Sequence, residues 1–121
     1  ANRGARQTAF ISPLKAAMRR GIRPTNHTDF VVAPLDPMFV LWSAVNRVSR
    51  AGQVVGPDQR VTVMEGLRAM TTNVARQYGE EDRKGSLAVG KLADLVILDR
   101  NPLAVPAMAL RDIRVMETIK E

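Results

Sequence analysis

A chain of 121 residues can form one domain with a modest core, and 45% hydrophobic with 25% charged residues is ordinary for a globular protein. No apolar run approaches the roughly 18 residues a membrane helix needs, and the absence of cysteine excludes disulfides and thiolate metal sites and agrees with a cytoplasmic location. The net charge of +6 invites an acidic partner, but the basic residues are dispersed. Only Arg19, Arg20 and Arg23 cluster, with no aromatic residues among them for base stacking, so nucleic acid is a disfavoured partner.

The opening ANRGARQTAF has no apolar signal-peptide core and reads as a chain entered in mid-course. ISPLKAAMRRGI is expected to be a helix, with Ser12 at the N-cap, Pro13 at the first helical position and Gly21 as the stop. IRPTNHTDFVV is expected to be a strand, irregular at Pro24, which lacks a backbone donor. A second helix opens at Asp36-Pro37, shows an apolar face of Met38, Leu41, Trp42, Val45 and Val48, and is expected to end at Gly52. GPDQR reads as a turn. Thr62-Val63-Met64-Glu65 is a capping box that starts a third helix, with a stripe of Leu67, Met70 and Val74 and a stop at Gly79.

Beyond the charged loop Glu80–Lys84, the run Leu95-Val96-Ile97-Leu98 reads as a buried strand. VPAMALRD reads as a short helical turn and IRVMETIKE, which alternates, as a second strand. The order is that of one strand-helix unit of an α/β protein followed by a small β segment. It divides into residues 1–79 and 80–121.

Within this pattern TNHTDF carries the chemistry. His27 is the chain's one histidine, and the two-residue period of a strand would project Thr25, His27 and Asp29 to one side. From residue types alone, the favoured readings are Asp29 as a strand-to-turn residue and His27 as a structural histidine.

Several stretches resemble a known family. NHTDF, VLWSAVNRVSR, GPDQRVT, EGLRAMTTNVARQ, KGSLAVGKLADLVILDRNPL and IRVMETI are similar to the C-terminal part of metal-dependent amidohydrolases, in particular the YtcJ-like group, amidohydrolase family 3. The resemblance runs over roughly residues 12 to 121. It implies a fragment of a (β/α)8 TIM barrel, with residues 1–79 as the last strand and its flanking helices. Residues 80–121 would then be strands of a small β-sandwich built from both chain ends. It implies that Asp29, at a strand's C-terminal end where barrel enzymes carry their sites, binds a catalytic divalent metal, usually zinc. That metal lowers the pKa of bound water, and Asp29 handles the proton. His27 would touch substrate or orient Asp29.

The implied reaction is hydrolysis of a carbon–nitrogen bond in a small amide-type substrate. The chain departs from the family pattern at Phe30-Val31, where Ala-Pro commonly follows the aspartate, and it holds no counterpart of the paired histidines or the bridging lysine or glutamate. A zinc site needs three or four ligands. Tight metal binding and activity are therefore expected only when the remainder of the barrel is supplied by more of the same chain or by another polypeptide, a homo-oligomer partner included. Two other classes compete: a truncated, non-catalytic oligomerisation or interaction module, and a basic binding module for acidic partners.

Overall fold

The computed structural model describes residues 4–121, which open with two short helices, α1 (Ala5–Ala9) and α2 (Leu14–Arg19). The second begins later than its sequence suggests. Ser12 takes a positive φ of 48° and caps nothing with its side chain, and Pro13 occupies the N-cap position. Gly21, at φ 76°, follows the helix end as expected.

Residues 22–28 are extended but belong to no strand, which corrects the reading of IRPTNHTDFVV. A strand exists only through its neighbours' hydrogen bonds, and here the flanking ties are single. The Asn26 N–H donates to the Ala69 carbonyl at 3.0 Å, and the Asn73 amide donates to the Pro24 carbonyl at 2.9 Å.

Helix α3 (Pro37–Asn46) begins as the sequence requires. Asp36 accepts hydrogen bonds from the Met38 and Phe39 N–H groups at 2.9 and 3.1 Å, and Pro37 fills the first position. The helix stops at Asn46 rather than Gly52, because Arg47 turns into the left-handed region at φ 52°. The chain then doubles back through a tight turn: Ser49 N–H donates to the Gln53 carbonyl, and Val48 forms a bridge with Val54. GPDQR becomes a 3-10 turn, Pro57–Gln59, and the buried Gln59 accepts a hydrogen bond from the Ala16 N–H of α2 at 2.9 Å.

The capping box at Thr62 is formed in full. Thr62 Oγ1 accepts from Glu65 N–H at 3.2 Å, and Glu65 Oε2 accepts from Thr62 N–H at 2.7 Å. The helix it starts is split into α4 (Val63–Met70) and α5 (Thr72–Gln77). The break is at Thr71, whose hydroxyl donates back to the Leu67 carbonyl at 2.8 Å, a competing bond of the kind that bends helices. Helix α4 lies so close to α3 that a Cβ on Gly66 would stand 2.5 Å from Leu41 Cδ1.

β1 (Leu95–Leu98) and β2 (Val115–Ile119) pair antiparallel, from Leu95 opposite Ile119 to Leu98 opposite Val115, with Met116 bulged out. The sheet is less covered than expected: Val96 and Ile97 are about half exposed and every residue of β2 is exposed. A corner holds its end. Asp99 accepts from the Arg114 N–H at 2.9 Å and from its guanidinium at 3.2 Å, contacts that hold the Asp99 carboxyl below its ordinary pKa.

The core lies between α3 and the 3-10 helix Ala107–Asp112, where Met38, Leu41, Trp42, Leu110 and Ile113 are buried together. Trp42 stacks on Phe39 with ring centroids 5.8 Å apart, lies under the Arg111 guanidinium, and donates from Nε1 to the Met108 carbonyl at 3.2 Å. Asn46 donates to the Trp42 and Ala107 carbonyls at 3.0 and 2.9 Å.

Two predictions follow from this packing. Leu41→Ala empties a fully buried position and should lower stability by about 2–5 kcal/mol, read by denaturant unfolding. Glu65 is paired with Lys15 at 2.5 Å, and that bond first, with the Thr62 contacts adding to it, lowers its folded-state pKa from the ordinary 4.5. A depressed carboxyl pKa stabilises the fold above the unfolded value and loses that contribution as pH falls below it. The unfolding midpoint should therefore drop as pH falls below 4.5, and Glu65→Gln should flatten that dependence.

Candidate functional site

Asp29 and His27 stand at the end of the extended segment, both exposed. Asp29 takes a left-handed backbone at φ 50°, a conformation that Asp tolerates better than most residues. That turn ends the two-residue alternation, so the aspartate does not continue one face of a strand. The imidazole holds it in place: His27 Nδ1 accepts a hydrogen bond from the Asp29 N–H at 3.0 Å. The bond leaves the ring proton on Nε2 and aims the histidine at the aspartate's main chain rather than its carboxylate. The Asp29 carbonyl accepts from Val32 N–H at 2.7 Å and closes the next turn. Its carboxylate makes no hydrogen bond or ion pair with any described residue, so its lone pairs are available. Phe30, Val31, Val32 and Leu35 follow as an exposed apolar segment.

Beside His27 a cleft of about 330 Å³ opens between the Ile11–Ser12 corner, α3 and the Val55 connector, with Asn26, Ser43 and Arg47 among its polar lining. Arg47, the left-handed residue that ends α3, is held by three backbone carbonyls. Its guanidinium donates to the carbonyls of Ile11 at 2.6 Å, Val55 at 2.7 Å and Ser12 at 3.1 Å. Burial lowers its pKa from the ordinary value. No local signal announces these bonds, since two of the acceptors lie 35 and 36 residues away.

A catalytic metal needs three protein ligands or more. Among the described residues, no three His, Cys, Asp or Glu side chains gather closely enough to hold one. Asp29 can supply one oxygen donor to a larger set. These residues alone do not fit a complete metal centre.

The chain belongs to the amidohydrolase family, whose model matches residues 2–121. It is 34% identical over 108 residues to the N-substituted formamide deformylase of Arthrobacter pascens, covering 89% of this chain and 20% of that protein. It is 27% identical over 116 residues to the putative amidohydrolase YtcJ of Bacillus subtilis strain 168, covering 93% of this chain and 22% of the other. An uncharacterized metal-dependent hydrolase from Pyrococcus horikoshii OT3 superposes with a TM-score of 0.73 at 28% identity, over 86% of this chain and 22% of that one. The chain thus spans about a fifth of the length of these two curated relatives.

The His27–Asp29 bond makes a direct prediction. His27→Ala removes the acceptor of the Asp29 N–H and should speed hydrogen exchange at that amide about fivefold, the loss of one hydrogen bond of about 1 kcal/mol. Exchange measured by NMR or mass spectrometry at unchanged pH checks it, and an unaltered rate would count against the bond.

Proposed function

We propose that this chain is the C-terminal portion of a metal-dependent amidohydrolase that cleaves the carbon–nitrogen bond of a small amide or formamide. The observation that carries the reading is the family match along residues 2–121 taken with an exposed Asp29 carboxylate, at the end of an extended segment, that pairs with no described residue. In this reading residues 1–79 complete a (β/α)8 barrel and residues 80–121 contribute to a β-sandwich. The extended segment becomes a barrel strand once its neighbours are present. The exposed Phe30–Leu35 segment and the open sheet edges are surfaces that the remainder of the protein, or a partner copy, would cover.

Bound by ligands outside this chain together with Asp29, a divalent metal, with zinc the ion to test first, would supply an activated water. Asp29 would take the proton of the attacking water and return it to the leaving nitrogen. His27, whose Nδ1 accepts from the Asp29 N–H, would hold the backbone from which the carboxylate projects and would touch substrate. The 121 residues by themselves are expected to be inactive.

Asp29→Asn keeps the shape and removes the base. In the whole protein it should lower kcat for amide or formamide hydrolysis by at least about 100-fold, the lower end of what a positioned general base contributes. Circular dichroism should stay unchanged and elemental analysis should show metal lost or weakened. Full activity in the Asn variant would sink the assignment.

A further inference from the structure

The Arg47 cleft contains an electrostatic imbalance. A guanidinium has five N–H donors, and three nitrogens of Arg47 donate one bond each to carbonyls, leaving two donors unassigned. No carboxylate pairs with Arg47 among the described residues, and none lines the cleft. Carbonyl dipoles fix the position of the cation but do not neutralise it. The rest of the lining supplies neutral hydrogen-bonding groups, Asn26, His27, Ser43 and Ser49, over an apolar wall that includes Leu14 and Val48. A partly buried, rigidly held cation of this kind is best matched by an anion with two coplanar oxygens.

We propose that the cleft beside His27 binds a carboxylate, so that the substrate is a small amide carrying an acidic group, with Arg47 as the residue that selects it. The substrate assignment rests on the hydrolase reading; carboxylate binding itself does not. About 330 Å³ of cleft accommodates a short-chain acid with a few carbons. His27 joins the two functions, since it lines the cleft and fixes Asp29.

The test uses acetate as probe and acetamide as its neutral isostere on the whole protein, at constant ionic strength set with chloride. A ligand that binds the folded state raises the unfolding temperature in a saturable way. Acetate should do so and acetamide should not. Arg47→Gln should weaken the acetate response about tenfold, the scale of one charge-assisted hydrogen bond. Arg47→Lys, which keeps the charge without the fork, should retain part of it. An equal response to acetamide, or an acetate response untouched in Arg47→Gln, overturns the proposal. If Arg47→Gln fails to fold, the wild-type acetate–acetamide contrast and the Lys variant still decide it. Failure of the two readings is separable. Acetate binding through Arg47 without hydrolase activity removes the hydrolase reading and leaves the site, whereas hydrolysis without an Arg47-dependent acetate response removes the site alone.

Discussion

Helix α3 is buried almost all round, and that single constraint organises the chain. A helix sunk in a core cannot turn its polar side chains to water, so each must find a partner inside. Trp42 and Asn46 find theirs in the carbonyls of Met108 and Ala107, which fixes the 3-10 helix against α3 and brings Leu110 and Ile113 over Leu41. The opposite approach, from α4, is open only because residue 66 has no side chain to meet Leu41. Both halves of the molecule are thus registered on one ten-residue helix.

The same helix reaches the candidate site through its last turn. Arg47, immediately after Asn46, leaves the helix in a left-handed conformation and sends its guanidinium to three carbonyls. The core therefore sets the shape of the cleft beside His27. Asp29 is held differently, by a short-range bond to a residue two positions away. One part of the site depends on packing at a distance and the other on local geometry, so they should respond differently to changes in the core.

This division also explains what the sequence made legible. The Asp36 cap and the Thr62–Glu65 box were readable because both partners of each bond lie within three residues. The apolar stripe on α3 was readable from helical spacing, and the two strands from an apolar run and an alternating pattern, whereas their antiparallel pairing was not. The early end of α3 was not, since Arg47 is stabilised in its left-handed state by acceptors from elsewhere in the chain. Nor was the break at Thr71, where a side chain competes for a backbone carbonyl. Thr25–Asp29 has the composition of a strand, yet a ladder needs neighbours, and no described residue supplies them. Asp29 itself was picked out by its resemblance to a family motif; its left-handed backbone and its bond to His27 were not foreseeable from residue types. Gln59, in what reads as an ordinary turn, is buried by a contact 43 residues away.

The two bonds from α3 to the 3-10 helix have a consequence for chain entropy. Trp42–Met108 spans 66 residues and Asn46–Ala107 spans 61, so both close the same large loop. Closing a loop of that length costs about 3–4 kcal/mol, and the cost falls only on whichever contact forms first. The second then closes a ring of a few residues almost without penalty. Each bond alone is thus a modest interaction backed by its twin and by the packing of Leu110 and Ile113 on Leu41. The tether from α3 to the 3-10 helix is redundant by construction of the loop, not by strength of either bond.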